Sequence, residues 1–167
     1  LPLARAGYRV TGVDNSAAML CMARQHLARE PTKVRDRVSL LEGDMTRAML
    51  APATFALALV PYNTFMHLAA AEATATIHAI ARQLRPGGRL FLDLANPFVV
   101  EQTTGDRLMS LERILTDPES GATVVVMAAS QLEEAAQLLN INWVFDASPA
   151  GGGPVERTVV QVAYHLY

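Results

Sequence analysis

Two spacings of apolar residues alternate along the first part of the chain. Tyr8-Arg9-Val10-Thr11-Gly12-Val13 reads as a short buried strand ending at Asp14. Asn15 or Ser16 can cap the helix that follows, whose Leu20, Ala23 and Leu27 share one face before Pro31 stops it. Val38-Ser39-Leu40-Leu41 predicts the next strand. Phe55 to Val60 is apolar throughout, the pattern of a strand covered on both sides. After Pro61 a helix is expected to run to about Leu84, with Ile77, Ile80 and Leu84 at helical spacing, and residues 89–94 form another strand. Upstream, residues 1–6 look like the tail of a helix, closed by Gly7 in the position where a left-handed residue is wanted. Strands alternating with helices of this size predict an α/β fold with a parallel sheet.

From Asn96 onward the period changes to two. Ile141, Trp143 and Phe145 fall on one face of a strand, and Thr158, Val160, Val162, Tyr164 and Leu166 alternate in the same way. Strands at 107–116 and 123–129 are joined by Asp117-Pro118-Glu119-Ser120-Gly121, a hairpin-like connection. Residues 132–139 favour helix by composition and a turn into a strand by position. Residues 147–154, with three consecutive glycines, form a further turn. The second half therefore reads as an antiparallel β meander, residues 98–167, added to a parallel part, residues 1–97. The Trp143 stripe reads as core rather than as a platform for a cofactor.

Composition narrows the function classes. Hydrophobic residues make up 51% of the 167 and charged residues 18%, with a net charge of −2 and no run of Lys or Arg, which argues against a nucleic-acid partner. The single cysteine, Cys21, excludes an internal disulfide framework and fits a reducing cytoplasm. No apolar run is long enough to span a bilayer, and no signal peptide opens the chain. Leu1 is mid-helix in character and Tyr167 lies on a strand pattern, so we read an internal piece, incomplete at both ends. His78, Glu133, Glu134 and His165 lack the spacing of a metal site. A contiguous apolar face on the meander would serve a homodimer interface as readily as a lid.

Three motifs carry the chemistry: Val10-Thr11-Gly12-Val13-Asp14-Asn15-Ser16, then Gly43-Asp44-Met45, then Leu84-Arg85-Pro86-Gly87-Gly88-Arg89-Leu90-Phe91-Leu92-Asp93-Leu94. Their order and spacing resemble the class I S-adenosylmethionine-dependent methyltransferases. The resemblance implies a Rossmann-like parallel sheet with helices on both faces. It also implies S-adenosylmethionine as cofactor and a small molecule as methyl acceptor. Asp14 would take the ribose hydroxyls, with Asn15 beside the nucleoside; as a residue it suits helix capping equally. Asp44 would take the adenine amine and Met45 its ring, though Asp44 also suits an ordinary turn.

In the third motif Pro86 stops the helix, and Gly87 and Gly88 allow a tight re-entry to the sheet. Val60 would lie near the cofactor, with Tyr62, Asn63 and His67 facing the substrate. His67 suits a general base or, the plainer reading and the one we favour, a surface or partly packed helix residue. The chain departs from the resemblance at Ala56, where relatives often have an aspartate. The family's Gly-x-Gly loop and a central strand are expected just before Leu1, between the strands at 8–13 and Phe55–Val60. No catalytic residue can be named, because aligning an acceptor with an activated methyl carbon needs no triad. The competing readings are a non-catalytic binding module and a nicotinamide dehydrogenase. Asp14 would suit the latter as well, but Gly43-Asp44-Met45 and residues 84–88 argue against it.

Overall fold

The computed structural model describes residues 1–48, 50–97, 99–100 and 108–167. The chain divides into two compact units, Leu1–Ala58 with Ala71–Leu90, and Leu59–Ala70 with Phe91–Tyr167. Among the described residues no helix is long and apolar enough to cross a membrane, which leaves β-barrels unaddressed.

The first unit opens with the single turn α1 (Pro2–Arg5), which ends ahead of Gly7 at φ +103°. Strand β1 (Val10–Asp14) leads into α2 (Ala17–Ala28), capped by the Ser16 hydroxyl accepting from the Met19 N–H. On α2, Leu20 is buried, and Ala23 and Leu27 are half-buried on the same face. The turn α3 (Thr32–Arg35) begins after Pro31, and β2 (Val38–Glu42) pairs with β1 in parallel, Val10 opposite Val38 and Asp14 opposite Glu42. A bidentate ion pair joins Arg5 to Glu30 at the surface.

Strand β3 (Phe55–Val60) pairs with β4 (Leu84–Leu92), and α4 (Ala70–Gln83) links them. Hydrogen bonds at the two ends of the pair, Thr54 N–H to Gln83 O at 2.9 Å and Asp93 N–H to Val60 O at 3.1 Å, run the same way along both strands, so the pair is parallel. The parallel part is therefore two two-stranded pairs and not one continuous sheet.

Four local expectations are corrected. The helix after Pro61 is interrupted: a 3-10 turn at Thr64–His67 comes first, and the backbone is extended at Leu68 before α4 begins. On α4 the buried stripe is Ala73, Thr76 and Ala79, while Ile77 is exposed and Ile80 half-buried. Residues 84–88 do not form a turn outside the sheet but open β4, with Gly87 at φ +75° making the irregularity, and the strand ends at Leu92. Finally, β3 is not covered on both sides: Leu57 and Leu59 are 45% and 44% exposed.

The second unit is built on a four-stranded antiparallel sheet, β5 (Ser110–Thr116), β6 (Thr123–Glu133), β7 (Leu138–Ser148) and β8 (Glu156–His165), in sequential order. Arg107, the expected start of its first strand, lies outside the described residues. The β5–β6 turn is closed by Asp117, whose N–H donates to Ala122 O and whose carboxylate accepts from the Ser120 and Glu119 amides. Residues 134–136 make one 3-10 turn, and Gln137 at φ 50° completes the β6–β7 hairpin, so position prevailed over composition at 132–139. Register puts Leu132, Leu139, Ile141 and Tyr164 on one face. There they pack with Leu166 around Met66, which is 1% exposed on the Thr64–His67 turn. On the opposite face Arg157 holds Asp146 in a bidentate pair at 2.7 and 2.6 Å.

Gly88 sets a strict limit on the β3–β4 pair. A Cβ there would lie 2.9 Å from the Arg85 carbonyl oxygen and 3.1 Å from that of Phe55, both backbone atoms. Gly88→Ala is expected to destabilise the fold by about 1–3 kcal/mol, as overpacking does. Gly151→Ala, with nothing within 4 Å, is expected to leave stability unchanged. Urea midpoints of the two variants check the contrast, and equal midpoints would contradict it.

Candidate functional site

In the first unit the two predicted acids stand at neighbouring strand ends. Asp14 is the last residue of β1, and the Gly43 N–H donates to its carbonyl at 3.0 Å, extending the ladder one step past Glu42. Asp44 follows at once. Each carboxylate accepts from the amide two residues on, which fixes its direction. The Ser16 N–H donates to Asp14 Oδ1 at 2.8 Å. Both the N–H and the hydroxyl of Thr46 donate to Asp44 Oδ1, each at 2.8 Å. Oδ2 of each acid has no protein partner among the described residues. Asp14 is half-buried and Asp44 exposed; Asn15 is exposed and Met45 half-buried. The two acids thus stand at one end of a parallel pair whose strands run about 4.8 Å apart.

The Thr46 amide, then its hydroxyl, hold the Asp44 carboxyl below its usual range, assisted by Arg47. Hydrogen bonds to a carboxylate favour its charged form. Asp44 thus stays an acceptor throughout the neutral range.

In the second unit the predicted residues occupy a sharp corner after β3. Val60 is buried at the strand end. Tyr62 and Asn63 follow at φ 58° and 56°, consecutive left-handed residues that are not glycine. That region costs an L-residue roughly 1–2 kcal/mol, and Asn tolerates it better than Tyr does. Asp93, just past β4, grips the corner. Its N–H donates to Val60 O at 3.1 Å, its carbonyl accepts from the Asn63 N–H at 3.1 Å, and its Oδ2 accepts from the Tyr62 N–H at 3.0 Å. The Thr64 hydroxyl donates to Pro61 O at 2.6 Å, closing the turn. The Tyr62 ring points to solvent, 87% exposed, while Asn63 is half-buried.

His67 is exposed, and its ring packs against Tyr164 with centroids 4.8 Å apart. No carboxylate is bonded to it among the described residues, so nothing there orients it as a base. Its neighbours Phe65 and Met66 are buried: Phe65 lies against the Tyr167 ring at 5.5 Å, and the Tyr167 hydroxyl donates to Leu68 O. Among the described residues no three His, Cys, Asp or Glu side chains gather as a metal would require.

In the sequence Asp93 marks the end of a strand near the presumed cleft but has no assigned role, and Thr46 carries no signal. The signal for Asp93 was present: like Asp14 and Asp44, it is an acid at the end of an apolar strand. Its partner lies 31 residues away, however, and only the β3–β4 pairing brings the two together.

Comparison with known proteins adds a family. A profile described as a methyltransferase domain matches residues 1–88. The cypemycin N-terminal methyltransferase of a Streptomyces species is 31% identical over 140 residues, 83% of this chain and 52% of that protein. Among solved structures, the CcbJ methyltransferase of Streptomyces caelestis superposes with a TM-score of 0.77 at 22% identity, covering 99% of this chain and 61% of that one. S-adenosylmethionine-bound CalS10, an amino pentose methyltransferase from Micromonospora echinaspora, gives 0.70 at 22%, covering 95% and 60%. The chain thus spans between half and two thirds of the length of these relatives.

Thr46→Val would remove one of the two donors on Asp44 Oδ1 and is expected to move the carboxyl pKa upward toward the ordinary value of 3.8. Because the folded-state pKa is depressed, the stability Asp44 contributes is complete above its unfolded value of about 3.9 and is lost as pH falls through the folded value. Carbon-detected NMR titration of Asp44 in both proteins checks the direction.

Proposed function

The chain belongs to the methyltransferase domain family, and from that premise we propose that it binds S-adenosylmethionine and serves methyl transfer to a small molecule. One observation carries the binding site: Asp14 and Asp44 stand at the ends of neighbouring parallel strands, each with one oxygen tied to the backbone and the other without a protein partner among the described residues. Such ends are where open α/β sheets hold nucleotides. Asp14 Oδ2 suits the paired hydroxyls of a ribose, and Asp44 Oδ2 suits the exocyclic amine of adenine, with Asn15 and Met45 beside them.

When bound, the cofactor supplies a methyl carbon on a sulfonium, so the leaving group comes with it. The task left to the chain is to hold two reactants in line, which by proximity and orientation can supply about 7–11 kcal/mol of a barrier. Tyr62, Asn63 and His67 are assigned to the acceptor. Relatives named a cypemycin N-terminal methyltransferase and an amino pentose methyltransferase support an acceptor that bears an amino group, whose lone pair must be unprotonated when it attacks.

Asp14→Ala removes an ionic acceptor of two hydroxyl hydrogen bonds, and bonds to charged groups contribute about 1.5–3 kcal/mol. Isothermal titration is expected to show S-adenosylmethionine affinity falling roughly ten- to a hundred-fold, with Glu42→Ala as the neutral control. No binding to the unsubstituted protein would refute the assignment. Binding without transfer to any amine in a metabolite panel would favour a non-catalytic binding module.

A further inference from the structure

Building on the acceptor assignment, we propose that Asp93 is a positioning residue, whose carboxylate sets the Tyr62–Asn63 corner in the shape that receives the acceptor. The corner holds a strain that stability does not explain. A tyrosine in the left-handed region at φ 58° is unfavourable in itself, and here its ring gains almost no burial in return, being 87% exposed. Backbone strain that persists around an exposed side chain is held by its surroundings and marks a place where geometry serves a ligand. The surroundings that hold it are specific: Asp93 Oδ2 accepts from the Tyr62 N–H at 3.0 Å, while the Asp93 main chain separately ties Val60 and Asn63.

The two kinds of bond can be separated by substitution. The main-chain bonds join β4's end to the corner whatever side chain stands at 93, so they fasten the loop to the sheet. The carboxylate acts on one amide alone, that of Tyr62, and thereby on the direction in which its ring is presented. An acceptor of hydrogen bonds is required at that point, and a negative charge is not. Asparagine at 93 can supply the same oxygen.

The test compares Asp93→Ala with Asp93→Asn in the full chain, by hydrogen exchange of the Tyr62 amide, titration of S-adenosylmethionine, and methyl transfer to two probes, glucosamine and trialanine. Asp93→Ala is expected to speed Tyr62 exchange at least tenfold and to raise the probe KM at least tenfold. Affinity for S-adenosylmethionine and kcat should stay within about threefold. Asp93→Asn is expected to remain near the unsubstituted protein in every readout. Unchanged Tyr62 exchange in Asp93→Ala would overturn the proposal, as would an Asp93→Asn defect equal to that of Asp93→Ala, or a cofactor-affinity loss matching the KM change.

If Asp93→Ala does not fold, the same change is made with Asn63→Gly, which relieves strain at one corner residue. Tyr62 exchange faster than in Asn63→Gly alone supports the proposal, and equal exchange overturns it. Should the unsubstituted protein bind no S-adenosylmethionine or methylate neither probe, the functional reading fails at that point, and Tyr62 exchange still decides whether Asp93 sets the corner.

Discussion

Strand ends in this chain are finished by one recurring interaction, an aspartate carboxylate accepting a backbone N–H from a neighbouring loop. Asp14 takes the Ser16 amide, Asp44 that of Thr46, Asp93 that of Tyr62, and Asp117 those of Glu119 and Ser120. A loop leaving a strand loses the ladder that satisfied its amides, and an unpaired amide is costly. A carboxylate repairs that loss with one oxygen and keeps another. At Asp117 the second oxygen also serves the turn. At Asp14 and Asp44 it has no protein partner among the described residues, and that difference separates a structural acid from a candidate ligand-binding one.

The antiparallel sheet is organised by a different constraint, its register. Because side chains alternate, the pairing of Leu132 with Leu139, and of Leu139 with Tyr164, commits a whole face to the core around Met66. The Thr64–His67 turn supplies that Met66, so the corner carrying Tyr62 and Asn63 is anchored from behind by apolar packing and from the side by Asp93. Rigidity in the backbone with exposure in the side chain is the combination a recognition surface needs.

Much of this was legible in the residues. The order of strands and helices, the Ser16 cap, the turn at Asp117 and the pairing of acids with strand ends all follow from short-range patterns. Helix α4 differs for a physical reason: hydrophobic spacing marks large residues, whereas the buried stripe is Ala73, Thr76 and Ala79, small residues that are weak as a pattern. The interruption after Pro61 was equally hidden, since neither Tyr62 nor Asn63 announces a left-handed backbone in the way a glycine would.

What the sequence by itself determined is local: which segments extend, which coil, where they stop, and which acids stand at the stops. Tertiary structure alone decided which distant groups meet. Whether Leu57 and Leu59 are covered depends on layers that β3 does not encode, and whether Asp93 reaches Tyr62 depends on two strands lying side by side. The reason is range. Backbone preferences and side-chain periodicity act over a few residues, while hydrogen bonds between strand ends exist only after folding has brought those ends within about 3 Å.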